Sequence, residues 1–189
     1  MEIMVSRELP YIDPVDQIWL TLANRLDMKV TRSDSVFASW DGSGTLTIST
    51  PAGFDPDDCL AQMIFHEICH ALVESPSGLE RPDWGLENID QRDLVREHAC
   101  HRLQASLLAP HGLRTMLGPT TDHRPYYDAL PVDPLAAGDD PAIPIAAEAH
   151  KRAVTGIWSA GIQDALRATA AIAVAVGPFA AGSLWSAAD

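Results

Sequence analysis

Apolar residues along this chain fall first into a helical rhythm. Val15, Ile18, Trp19, Leu22 and Leu26 recur at one-turn spacing behind Asp13-Pro14, which predicts an amphipathic helix opened by an aspartate cap. The rhythm then shortens. Met28 to Thr31 predicts a short strand, and Val36–Trp40 and Thr45–Thr50 flank Asp41-Gly42-Ser43-Gly44, the pattern of a β-hairpin closed by Pro51. Phe54-Asp55-Pro56-Asp57-Asp58 reads as a second helix start, with Asp55 as the cap and Pro56 in the first turn. That helix is expected to run to about Val73, burying Leu60, Met63, Ile64, Ile68 and Leu72. Ser75 to Asn88, with its prolines and glycines, predicts a loop, and Asp90 to Leu108 a further long helix stopped by Pro110 and Gly112.

The pattern changes after Gly118. Gly118 to Pro144 is proline-rich and irregular, and Tyr126, Tyr127 and Leu130 suggest that it wraps over the domain. Ala146 to about Val176 is again helical. This predicts a domain over 1–112, a wrapping segment over 113–145 and a C-terminal helical extension over 146–189. Ala168 to Ala188 carries no charge and is long enough to span a bilayer. It is Ala-rich and broken at Gly177-Pro178, so a membrane role is not expected; a C-terminal helix that is buried or faces a protein partner is.

The charge balance narrows the function classes. The 189 residues carry 26 acids against 13 Lys and Arg, a formal net charge of -13. Direct nucleic-acid binding is therefore disfavoured, because nothing supplies a basic face. Cys59, Cys69 and Cys100 make no disulfide framework. Met1 to Pro10 lacks the apolar run of a secretory signal, so a cytoplasmic protein is expected.

The chemistry concentrates at His66-Glu67-Ile68-Cys69-His70. Histidines at i and i+4 share one helix face and can approach a single zinc, and the adjacent Glu67 is placed to take a proton from a metal-activated water. A catalytic zinc needs a third protein ligand and an open position. Glu97, on the next long helix, is the first candidate; Glu74, Glu87, Asp90 and Asp93 are alternatives that also read as surface carboxylates. His101, one turn beyond Glu97, is a candidate extra ligand or a donor to Glu97. Cys69 and Cys100 read as buried small residues, as a redox pair across the two helices, or as an additional soft metal site. His123, Tyr126 and Tyr127 are candidate oxyanion donors, with His123 and Tyr126 carried forward as catalytic, and Trp84 could line a cleft or pin its loop. The strand over Thr45–Thr50 is expected at the edge above the cleft, where an extended peptide could pair with it.

His66 to His70, together with Glu97-His98-Ala99-Cys100-His101 and the closing Leu107-Leu108-Ala109-Pro110, resembles the ImmA/IrrE metallopeptidase family over about residues 36–112. The sequence departs from that family at Cys69, Cys100 and His101, where it usually has a small residue, alanine and asparagine, and it lacks the helix-turn-helix segment often joined to these peptidases. The resemblance implies an α+β zincin-like fold, with a small twisted sheet packed on the HExxH helix and a glutamate helix. It further implies one zinc per chain on His66, His70 and Glu97, with Glu67 as base. The expected function is zinc-dependent hydrolysis of a peptide bond in a protein or peptide substrate. The alternatives are a di-iron carboxylate-histidine enzyme, or a non-catalytic zinc-stabilised interaction domain. The proline-rich segment could also act as an inhibitory cover.

Overall fold

The computed structural model describes residues 10–87, 91–119 and 123–187. Asp90, and the segment before Pro10, lie outside the described residues. Within them the fold is α+β: six α-helices and one three-stranded mixed sheet. Helix α1 (Pro14–Arg25) is followed by strands β1 (Lys29–Ser33), β2 (Ala38–Trp40) and β3 (Thr45–Ser49). Then come α2 (Leu60–Glu74), α3 (Gln91–Leu108), the short α4 (Arg124–Asp128), α5 (Ala142–Thr155) and α6 (Ser159–Val176).

Asp13 caps α1 as its sequence predicts, its carboxylate accepting from Val15 N at 2.9 Å. The start of α2 differs from expectation. Asp55 and Pro56 lie outside the helix, in a turn closed by Asp58, whose Oδ2 accepts from Asp55 N at 2.9 Å. The cap is Cys59. Its sulfur accepts from Gln62 N at 3.4 Å, and Gln62 Oε1 accepts from Cys59 N at 3.3 Å. Asp16 of α1 satisfies another exposed amide of this helix end, accepting from Ala61 N at 3.0 Å.

The sheet order is β1-β3-β2. β3 is therefore central, paired in parallel with β1 and antiparallel with β2, and not the edge strand its position before α2 suggested. The rim strand is β2. Leu46 and Ile48 of β3 are fully buried beneath the helices, whereas Thr47 meets Thr31 on the other face at 3.1 Å.

Helices α1, α2, α3, α5 and α6 share one core. Trp19 of α1 packs on Phe65 of α2 with ring centroids 4.8 Å apart, and its indole N–H donates to Thr169 of α6 at 3.1 Å. α5 presents the small residues Ala142, Ala146, Ala149 and Ala153, all fully buried, which lets it lie close against α2 and α3. Arg152 of α5 also donates to Leu72 O at 2.7 Å, capping a free carbonyl near the end of α2. The expected continuous helix over Ala146–Val176 is two helices. The chain breaks at Gly156, where a Cβ would stand 2.4 Å from Arg152 O. Among the described residues no helix is long and apolar enough to cross a membrane.

Candidate metal centre

α2 and α3 cross with their functional faces toward each other. His66 and His70 project from α2, and Glu97, Cys100, His101 and Gln104 from α3. The imidazole Nε2 atoms of His66 and His70 stand 3.0 Å apart. His66 Nε2 is 3.3 Å from Glu97 Oε1, and His70 Nε2 is 3.2 Å from Glu97 Oε2. His101 Nε2 is 3.1 Å from Glu97 Oε1. Ligands placed tetrahedrally at 2.0–2.1 Å from one zinc stand about 3.3–3.4 Å from each other. The contacts of 3.0–3.3 Å lie close to that spacing, with His66 facing one Glu97 oxygen and His70 the other, so the donor set fits a single metal ion. The buried His66, His70, Glu97 and His101 together form a cluster that could hold one.

Electrostatics point the same way. Burial alone pushes the His66 imidazole down, but the Glu97 carboxylate beside it outweighs that and raises it to about 9. His70 is likewise raised, against its own burial, chiefly by Glu97. Burial pulls Glu97 upward, and the surrounding histidines overcome it and hold its carboxylate well below the usual range. His101, deepest of the set, is lowered to about 4, with burial the largest cause. These shifts hold protons among the imidazoles and Glu97, the protons a metal would displace on binding.

Two groups behind the cluster complete it. Gln104, fully buried, accepts from His66 Nδ1 with its Oε1 at 3.2 Å and donates its amide to Leu117 O at 2.7 Å. In the neutral imidazole that contact places the proton on Nδ1 and leaves Nε2 as the nitrogen able to ligate beside Glu97. His70 Nδ1 has no such partner. Cys100 sits 3.7 Å from His66 Nδ1, on the ring edge away from the Nε2 cluster, with Cys69 beside it. Both thiols are buried and unoxidised.

Glu67 leaves the triangle of ligand atoms and enters a cleft of about 470 Å³. Its Oε2 accepts from the Trp84 indole at 2.8 Å. Trp84 in turn stacks flat on Trp40 of β2, with centroids 4.6 Å apart at 4°. Asp83 and Trp84 both hold left-handed backbones, φ 47° and 59°, which costs non-glycine residues on the order of 1–3 kcal/mol each. Asp83 repays part of this by accepting from Trp40 N at 3.1 Å. The cleft is walled by Ala38 and Ser39 of β2, by Asp83, Trp84, Leu86 and Glu87, and by Glu67, His70 and Glu97.

Other expected site residues lie elsewhere. Tyr126 is not free to serve as an oxyanion donor: its hydroxyl accepts from Arg102 Nε at 2.7 Å and donates to Asp140 Oδ2 at 2.8 Å. It stacks on His98 at 3.6 Å and does not line the cleft. His123 does not line it either; it packs behind the cluster, 4.9 Å from the His101 ring. Tyr127 donates to Arg114 O at 3.1 Å and packs with Ala105 and Leu130, fastening the proline-rich segment to α3. Among the alternative acids, Glu74 pairs with Arg96 at 3.1 Å, Asp93 is buried and accepts from Glu87 N at 3.0 Å, and Glu87 reaches the cleft wall. Gln104 and Asp83 were not singled out from sequence. Neither belongs to a spacing motif, and each acts through a contact between elements distant in the chain. A larger groove of about 890 Å³ near the start of α2 contains no member of the cluster.

No protein-family model, curated protein or solved structure matches this chain, so the ImmA/IrrE resemblance rests on the motif residues.

Proposed function

We propose that this chain is a zinc-dependent peptidase with a zincin-like catalytic core, akin to the ImmA/IrrE metallopeptidases its motifs resemble. The observation that carries the reading is the convergence of His66 Nε2, His70 Nε2 and the Glu97 carboxylate at 3.0–3.3 Å, with Glu67 alongside in the cleft instead of within the triangle. A bound zinc would polarise a carbonyl and lower the pKa of a water in the open position. Glu67 supplies the remaining proton chemistry. Trp84 fixes its Oε2, leaving Oε1 to take the proton of the attacking water and deliver it to the leaving amine. One carboxylate touching the imidazoles suits one ion better than a di-iron pair, whose metals stand about 3.5–4 Å apart and share bridging ligands.

The rim strand gives the substrate a place. Asp41 N bonds to Thr45 O, and Ser49 N to Phe37 O, so the alternation of an antiparallel ladder turns the Ser39 amide and carbonyl inward to β3. Ala38 and Trp40 then face outward. Asp83 occupies the Trp40 N–H, and the Ala38 groups remain on the cleft wall for an extended peptide to pair with. The test is Glu67→Gln. It should keep one zinc per chain and lose hydrolysis of fluorescein-labelled casein by at least about 100-fold, the scale of general-base catalysis. Undiminished cleavage, or a wild type that cleaves nothing, would sink the reading.

A further inference from the structure

His101 is the most buried member of the cluster, with no exposed surface. Neither ring nitrogen has a hydrogen-bond partner. Its Nε2 nevertheless lies 3.1 Å from Glu97 Oε1, off the line a hydrogen bond would need. The ring sits parallel to that of His66, 27° apart with centroids 5.2 Å distant, so both imidazoles turn their nitrogens to the same carboxylate oxygen. The ligand atoms of His66, Glu97 and His101 all lie within 4.8 Å of one another.

An imidazole sealed from water with both nitrogens unpaired leaves two buried polar groups unsatisfied, which destabilises the fold. In the Nδ1-protonated tautomer the Nε2 lone pair also faces the carboxylate oxygen, which adds repulsion. A cation at the shared point relieves both costs. The other groups facing His101 offer no substitute: His123 and Tyr127 meet it by ring packing, at 4.9 and 6.4 Å between centroids.

We infer that His101 is a fourth protein ligand of the metal, giving a centre of three imidazoles and one carboxylate. This rests on the metal-site reading above and deepens it. Four protein ligands leave room for a water only if the ion becomes five-coordinate, which zinc adopts in some catalytic sites. The i, i+4 spacing of Glu97 and His101 on α3 then mirrors that of His66 and His70 on α2, each helix contributing two ligands from one face.

X-ray absorption spectroscopy of the full chain loaded with one equivalent of zinc sulfate counts the imidazoles directly and needs no variant. Three are expected; two would overturn the inference and leave His101 as an outer-shell neighbour. His101→Ala should weaken zinc binding by more than about 100-fold, beyond the 10–100-fold typical of losing an outer-shell partner. Added imidazole, filling the hole, should restore it. A loss of 100-fold or less, unaffected by imidazole, counts against ligation. If the wild type takes up no zinc, the metal reading itself fails, an outcome distinct from a zinc site holding two imidazoles.

Discussion

Gln104→Ala isolates how far the proposed metal site depends on a residue outside its ligand set. The side chain is fully buried and does two things: Oε1 accepts from His66 Nδ1 at 3.2 Å, and its amide donates to Leu117 O at 2.7 Å. Alanine leaves a buried N–H and a buried carbonyl unpaired, each worth roughly 1–3 kcal/mol. The metal-free fold should therefore lose about 2–6 kcal/mol, a large share of the 5–15 kcal/mol typical of a domain. Without the acceptor, His66 is free to rotate or switch tautomer, and zinc affinity should fall about 10–100-fold, or ~1.4–2.7 kcal/mol. Gln104→Glu separates the two effects. It keeps the acceptor for Nδ1–H but loses the donor to Leu117 O, so zinc affinity should stay close to wild type while stability falls. Competition against a chromophoric chelator measures the affinity, and thermal unfolding in excess chelator measures the stability. Wild-type zinc affinity in Gln104→Ala would refute the claim that Gln104 orients His66.

Trp84→Phe preserves the stack on Trp40 but removes the N–H on Glu67 Oε2; zinc content should be unchanged while kcat for casein peptides falls with KM unmoved, as steady-state kinetics would show. Truncation after residue 112 removes the α5 alanines, Ile162, Leu166 and the Arg152 cap on Leu72, so the remaining chain should fail to unfold cooperatively by circular dichroism, which would rule out the last segments as a removable inhibitory cover. In the metal-free protein His66 is raised from 6.5 to about 9. Its protonation therefore stabilises the fold fully below pH 6.5 and is lost as pH climbs through 9. Melting temperature of the chelated protein should fall across that window, and zinc affinity, which competes with the same proton, should rise; a flat profile in both would contradict the His66–Glu97 coupling.

What the sequence made legible follows from range. The HExxH pair is a matter of spacing along one helix, and α1, the hairpin, α2 and α3 each announce themselves by local periodicity and turn residues. Glu97 was singled out by its place on the next long helix, one turn before His101, and by the family resemblance; the structure brings it beside His66 and His70. Contacts between remote elements were not readable. Nothing local reveals that β1 pairs with β3 and so moves the rim to β2, since parallel pairing skips the hairpin. Tyr126 looked like a donor because its phenol lies in a segment expected to wrap the domain; Asp140 and Arg102 claim that hydroxyl only once the segment has wrapped. Asp55-Pro56 carries a strong helix-start signal, yet it forms a separate turn closed by Asp58 on Asp55 N, and Cys59 with Gln62 makes the reciprocal cap of α2.

The cluster also shows where the fold spends stability. His66, His70, Glu97 and His101 hold four titratable groups at the crossing of α2 and α3, a place that leucines would fill at lower cost. The crossing is held by other means: the buried alanines of α5 bring that helix against both, and Arg152 ties α5 to the end of α2. Such a scaffold holds the imidazoles at ligand spacing, a preorganisation that costs the fold stability. An ion that binds the native state alone returns that energy, about 2.7 kcal/mol at a free concentration one hundred times its Kd. Zinc should therefore raise the melting temperature of the wild type and leave that of a His66→Ala, His70→Ala double variant unmoved, and an equal rise in both would mean that the ion binds somewhere other than the α2–α3 crossing.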